Sequence, residues 1–474
     1  MSNVLRMAAA QTTTNLIDDL ELDTMIIPDT KIVQPASELK RENMSDTNAI
    51  ESDKLSALKA KLAAKQTEDT MPLKIVEKKT RSIRFGVIGS GQAGSRLAET
   101  FHALGYDAVA FNTAPQDLEH IALPEDNKYL LQYGLGGAAK EMDIGREAAE
   151  THRDAINELI QDKLSDAQVF MFCLSLGGGS GAGSCETIVD VLSGLGKPIV
   201  VITVLPMDND DAQTKRNALE TLSKLAKEAQ NKRIHNLIVV DNARIESIYS
   251  NVSQIDFFKV SNTAIVEPID AFNTLSSMPS AVKGLDPMEF AKLITDGGGL
   301  TVYGEMSVPN YEEDTAIAEA VIQNLNSGLL ASGFDLKQSK YVGVLIAANK
   351  KVWDKIPSSS VNYAMSMVHD ICGTPTGVFR GIYATDVDED VVRVYSMFSG
   401  LGLPESRVQQ LKKEAQEYAQ RTKNKDDSRN LTLKLDTGTD DAISAADKIK
   451  QKIASKKSAF GGLVNNSIQD RRRK

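Results

Sequence analysis

The sequence predicts an α/β protein: a parallel sheet with helices on both faces, then a long central helix, then a smaller second α/β unit. Three observations predict it. From Arg81 onward, short apolar runs alternate with helical stretches, the first and third of these runs end in glycine-rich loops, and one helix-compatible stretch near residues 255–275 has no strand partner of its own.

The elements follow in order. RFGVIGSG is a compact strand ending in glycines; a helix from Ser95 and a second strand, DAVAFNT, come next. AQVFMFCLSLGGGSGAGS repeats the pattern with a helix from Cys185, then KPIVVITVLP, a helix from Gln213 to about Ala229, and HNLIVVDN. The central stretch, residues 255–281, carries Pro268 as an expected interruption. The second unit, 282–402, reads as a helix from Glu313 to about Leu330, the strand KYVGVLIAAN, a helix from Val361, and the strands GVFRGIYATD and DVVRVYSMFSG. Val408, Leu411, Ala415 and Tyr418 then recur at helical spacing within 403–424. Residues 1–80 and 425–474 read as disordered extensions, the first with one short helix from Glu51, the second ending in basic residues.

Composition narrows the function. The net charge of −10 excludes a body that binds nucleic acid generally, and aromatics at 5% leave too few rings for a base-stacking platform. No apolar run is long enough to span a bilayer and the first residues lack a secretory pattern, so the chain is read as cytoplasmic, of a bacterium or of the host of a phage. Cys173, Cys185 and Cys372 are too scattered for a disulfide framework or a metal site and are expected to be structural thiols.

The chemistry lies in three loops. Gly89-Ser90-Gly91-Gln92-Ala93-Gly94 follows a strand and opens a helix, where backbone N–H groups and the helix dipole favour a phosphate. A dinucleotide-binding Rossmann site would need a carboxylate at the end of the second strand; that strand ends in Phe111-Asn112-Thr113. Gly177-Gly178-Gly179-Ser180-Gly181-Ala182-Gly183 places five glycines in seven positions, more than a purely structural turn requires. The third loop contains Gly134, Gly136 and Gly137. All three follow strands of one sheet and would ring one crevice. The P-loop pattern, with its phosphate-neutralising lysine, is missing, which leaves backbone dipoles and Mg²⁺ to hold the phosphates.

GGGSGAGS resembles the glycine signature of the tubulin/FtsZ superfamily, with Ser180 in place of the usual threonine. GSGQAG is similar to that family's first phosphate loop, FNTAPQDL to the FtsZ segment after the second strand, and GLGGAAKEMDIGREAAE to the loop contacting the terminal phosphate. Phe258 to Asn262 looks like the start of the central helix, where a ring stacks on guanine and an amide one turn later reads its edge. Arg216 falls where FtsZ proteins place a nucleotide-contacting arginine; Ala212 replaces the glutamate FtsZ often has, with Asp211 beside it. The resemblance implies a Rossmann-like GTPase domain over 81–254, a C-terminal activation domain, GTP or GDP with Mg²⁺ as ligands, and head-to-tail filaments whose hydrolysis is completed by the neighbouring subunit. Asp286 and Glu289 have the spacing of the family's water-activating pair, although a slipped register would set Glu289 and Lys292 at those two positions and lose one carboxylate, and an Asp-Pro helix cap with a first-turn glutamate explains the same residues.

Between Lys456 and Lys474 six basic residues stand against one acid, a tail able to capture DNA, a DNA adaptor or an acidic surface. In character it resembles the tails of plasmid and phage TubZ-type proteins, which implies a DNA- or particle-positioning filament over an FtsZ-type division ring. A nucleotide-binding filament without hydrolysis and an NAD-dependent oxidoreductase are the competing readings.

Overall fold

A computed structural model describes residues 80–428 apart from 281, 309, 314 and 388, so the short helix expected from Glu51 and nearly all of both terminal extensions lie outside the described residues; residues 425–428, expected in the tail, are helical. The strands are β1 (Phe85–Ser90), β2 (Asp107–Asn112), β3 (Lys128–Leu130), β4 (Val169–Ser175), β5 (Ile199–Leu205), β6 (Asn236–Asp241), β7 (Leu300–Val308), β8 (Tyr341–Asn349), β9 (Gly377–Thr385) and β10 (Val392–Leu401). They form one sheet in the order β3-β2-β1-β4-β5-β6-β7-β10-β8-β9, with β10 alone antiparallel to its neighbours. The strands of the expected second unit therefore extend the first sheet, joined to it by the parallel pairs Leu237–Leu300 and Ile238–Thr301.

The helices are α1 (Gly91–Ala103), α2 (Pro115–Glu119), α3 (Met142–Thr151), α4 (Arg153–Lys163), α5 (Ser180–Gly194), α6 (Ala212–Gln230), α7 (Asn242–Ile248), α8 (Gln254–Leu275), α9 (Pro287–Thr295), α10 (Ala316–Gln323), α11 (Lys350–Trp353), α12 (Ser358–Cys372) and α13 (Glu405–Ser428). Both faces of the sheet are covered. In β4, Phe170, Phe172 and Leu174 join the core that includes side chains of α5 and α6, while Val169, Met171 and Cys173 join the one that includes α1, α8 and α9. Period-two alternation of two apolar sets is what a strand buried on both faces requires. The three cysteines are free and buried, and burial alone or chiefly pushes the Cys185 and Cys372 thiols up to about 12, as expected of structural thiols.

Several elements differ from the sequence reading, among them α1, which opens at Gly91 and not Ser95. β7 was not anticipated, and the helix expected from Glu313 is the shorter α10 ending in a π turn over Asn324–Gly328. α5 opens at Ser180, not Cys185, so the second half of the glycine run is its first turn. α8 runs through Pro268, whose ring removes the N–H that the Ala264 carbonyl would otherwise accept; one residue on, the carbonyl of Ile265 takes a hydrogen bond from the buried Tyr303 hydroxyl at 2.7 Å. The far end of α8 is tied to the start of β1 by Asn273, whose Oδ1 accepts from Ile83 N (2.8 Å), and by Asp270, paired with Arg81 (2.9 Å).

Candidate nucleotide site

The three glycine loops come together where β1, β2 and β4 end. Ser90 and Ser184 share a buried hydroxyl contact of 2.7 Å, and Thr113 and Ser180 share a part-buried one of 2.5 Å. Gly137 N donates to Thr113 O at 2.7 Å, closing the third loop onto the second strand. Asn112 and Gln92 both donate to Asp117, at 3.0 and 3.2 Å, so the side chains expected at the ligand converge on one carboxylate.

Helix termini set the electrostatics of this crevice. α1 and α5 open with no side-chain cap and no acidic residue in the first turn, so their leading N–H groups and positive dipole ends carry no built-in counter-charge. An anion is the natural complement.

The glycines have mostly protein reasons. A Cβ on Gly89 would lie 2.4 Å from Gly94 O, one on Gly179 would lie 2.7 Å from Ala138 Cβ, one on Gly181 would lie 2.8 Å from Ser90 O, and one on Gly183 would lie 2.2 Å from Met142 O. Gly177 is closed off by Thr214, and Gly91, at φ +69°, touches Gly181. At Gly179 and Gly181 loop-to-loop packing by itself excludes a Cβ. Gly178 is different. Its Cβ would meet only Ser175 Oγ, at 3.5 Å. Gly136 and Gly137 are needed for φ values of +89° and +74°, and the next residues, Ala139 and Lys140, hold positive φ without being glycine.

The segment 206–211 and the start of α6 wall the crevice. Asp211 caps α6 by accepting from Thr214 N (2.9 Å) and also pairs with Lys140. Burial alone would raise the Asp211 carboxyl, but the hydrogen bonds from Lys140 and Thr214 outweigh it and hold it at about 2. Ala212 is buried and offers no ribose contact. Arg216 stands exposed on α6, while its neighbour Asn217 donates to Lys140 O (2.8 Å) and Gly177 O (3.2 Å), linking two loops. The same segment is anchored from behind by α13: buried Arg407 pairs with Asp241 (2.7 Å) and Asp208 (2.9 Å) and donates to Pro206 O (3.0 Å).

Phe258 and Asn262 sit one turn apart on α8. The Phe258 ring is 45% exposed, with Arg96 of α1 at 5.8 Å from its centroid, a large apolar face open to a planar partner. Sequence reasoning missed Arg96, Asp117, Lys140 and Asn217, since only tertiary contact gives them a role.

Asp286 and Glu289 lie elsewhere. They form a capping box on α9: Asp286 Oδ1 accepts from Glu289 N (2.8 Å), and Glu289 Oε2 accepts from Asp286 N (3.1 Å). Glu289 is thus engaged with Asp286 in the cap. Phe290 packs edge-on against Phe85, which opens β1, and stacks on Phe272 at 6.1 Å; Asn236, which opens β6, donates to Leu293 O and Ile294 O. α9 therefore lies at the starting ends of the strands, and the glycine loops at their finishing ends, roughly 17 Å away along a six-residue strand.

Residues 84–250 match the tubulin/FtsZ family GTPase domain, and residues 271–412 match the C-terminal domain of the TubZ-like members. The chain belongs to the tubulin/FtsZ family. It is 25% identical over 324 residues to the tubulin-like protein CetZ of Pyrococcus abyssi, covering 66% of this chain and 85% of that one. Its fold is that of a GTPγS-form protofilament of Bacillus thuringiensis serovar israelensis TubZ (TM-score 0.66, 18% identity, 74% of this chain and 96% of that one). A TubZ of type III plasmid segregation is similar at TM-score 0.62 (18% identity, 73% and 95%). This tubulin/FtsZ-family chain is thus a GTPase-fold relative of filament-forming proteins, and among its described residues no helix is long and apolar enough to cross a membrane.

Proposed function

We propose that this protein binds GTP and GDP with Mg²⁺, polymerises head to tail, and hydrolyses GTP at sites completed by Asp286 and Glu289 of the next copy. One observation carries the reading: the phosphate-type loops and the paired carboxylates occupy opposite ends of one rigid sheet, so a single copy holds both halves of a site but cannot bring them together. The base would stack on Phe258 with Asn262 reading its edge, and the phosphates would lie on the uncapped starts of α1 and α5, close to Gly178. Among the described residues no three His, Cys, Asp or Glu side chains cluster as metal ligands, so Mg²⁺ would be held largely by phosphate oxygens, where it supplies positive charge. Asp286 and Glu289 each keep an oxygen beyond their cap bonds, with which they would orient a water against the terminal phosphate.

Exposed apolar side chains support the head-to-tail direction. Leu135, 98% exposed at the tip of the third loop, is matched at the other end by exposed Val282 and Met288, which flank Asp286. DNA or phage-particle positioning, through a DNA adaptor or the basic tail, is the cellular role in best accord with the TubZ-like domain and the sequence of residues 456–474.

A second reading, a nucleotide-binding filament without hydrolysis, is favoured by the capping box, which gives both carboxylates a structural task. Pelleting and light scattering with GTP, GDP and ATP, with phosphate release followed in parallel, separates the readings. GTP-dependent polymer with phosphate release is expected; polymer without release supports the second reading, and a stronger response to ATP or NAD contradicts both.

A further inference from the structure

Among the three phosphate-type loops, residues 89–94, 134–141 and 177–184, the single cationic side chain is Lys140. Its backbone is held in place from several sides. The residue sits at φ +65° after Ala139 at φ +47°, two consecutive left-handed positions without glycine. Its carbonyl accepts from Asn217 (2.8 Å) and Gln213 (3.1 Å), and a Cβ on Gly179 would touch the flanking Ala138 and Glu141. Lys140 is thus clamped at the junction of the second and third loops, with its ammonium group resting on Asp211.

That pair is easily exchanged. Its side chains are 47% and 37% exposed, so water screens their attraction and little stability depends on it. Asp211 also keeps Thr214 as a donor, at 2.9 Å from the backbone N–H and 3.1 Å from the hydroxyl, and so remains partnered without the lysine.

We propose that Lys140 recognises the terminal phosphate of a nucleoside triphosphate, held in reserve on Asp211 until that phosphate arrives. The inference rests on the nucleotide-site reading above and adds a side-chain contribution to a site otherwise made of main chain. A diphosphate leaves the Lys140–Asp211 pair in place. A triphosphate offers a more highly charged acceptor and draws the lysine across.

The test is the binding of GTPγS and of GDP to the full chain, measured by equilibrium dialysis below any assembly concentration. Lys140→Ala is expected to weaken GTPγS by about tenfold or more and GDP by less than about twofold, as for one charge-assisted hydrogen bond. Asp211→Asn keeps the helix cap, since Asn caps as well as Asp, but removes the competing charge. It is expected to tighten GTPγS without tightening GDP, most clearly at low salt. If both substitutions weaken both nucleotides in step, the pair is only a loop tie and the proposal is overturned; an unchanged GTPγS-to-GDP ratio in Lys140→Ala overturns it too. Wild-type protein that binds neither nucleotide would remove the nucleotide-site reading and this proposal together, whereas either variant outcome leaves that reading standing.

Discussion

The two ends of the sheet are built on opposite principles. At the finishing ends of β1, β2 and β4, three loops are packed through glycines, hydroxyl pairs share hydrogen bonds, and two helices open without caps. At the starting ends, α9 opens with a complete capping box whose two carboxylates satisfy each other's backbone donors. The first end is well packed as structure and unfinished electrostatically; the second is finished as structure, with partly exposed negative charge. Complementary incompleteness at opposite ends of one copy points to a second copy, and that is what the comparison teaches.

The largest expected effect separates capping from chemistry at the α9 end. Asp286→Asn and Glu289→Gln retain the cap and capping-box geometry while removing charge. Each should lower phosphate release per assembled chain by about 10²–10⁴-fold, the range for a lost general base, with thermal stability unchanged. Full activity in both would show that the box is structural only.

At the other end, Gly145→Ala and Gly178→Ala divide packing from binding. A Cβ on Gly145 would lie 2.2 Å from the main-chain oxygen of Gly179. Helix propensity favours alanine by about 1 kcal/mol, but a clash against backbone should outweigh it and leave a net loss of about 1–3 kcal/mol in denaturant unfolding. Gly178→Ala meets only Ser175 Oγ, at ordinary van der Waals distance, so stability should stay within about 0.5 kcal/mol while GTP affinity falls by at least about tenfold. Unchanged affinity would move the phosphate away from Gly178.

The base end of the site should respond without a stability change. Phe258→Ala removes a half-exposed ring and should cost about 1–3 kcal/mol in nucleotide binding, a typical loss for one stacked base. Asn262→Ala should narrow the preference for GTP over ATP by about 1–3 kcal/mol, because a base-edge group loses its partner. Equal losses for GTP and ATP in Asn262→Ala would place base selection elsewhere. The smallest effect is on folding alone: Asp286→Ala should cost about 1 kcal/mol through the lost cap, measured by urea unfolding.

Much of this was legible because it is local. Short apolar runs followed by helical stretches mark β1, β2 and β4 to β6, and at β1 and β4 the run ends in the glycines that open the next helix. β7 escaped because Gly304, Glu305 and Ser307 break its apolar run, and it is held by neighbours distant in sequence, β6 and β10. Pro268 misled in the other direction: α8 continues through it, packed into the core by Ile265, Val266 and Ile269. In the site, glycine positions were readable but their reasons were not: Gly183 faces Met142 O and Gly181 faces Ser90 O, contacts that exist only after the loops meet. Lys140 and Asn217 were invisible for the same cause. The carboxylate pair was visible as a spacing, and both its capping and catalytic readings survive because the box uses one oxygen of each.

The central claim is that one hydrolytic site is assembled from two copies. Specific GTPase activity measured against protein concentration tests it most directly. The account predicts a low rate in dilute protein and a rise above a threshold that coincides with the onset of light scattering, since a lone copy holds GTP without Asp286 and Glu289 nearby. A specific activity that is constant across that threshold would contradict it.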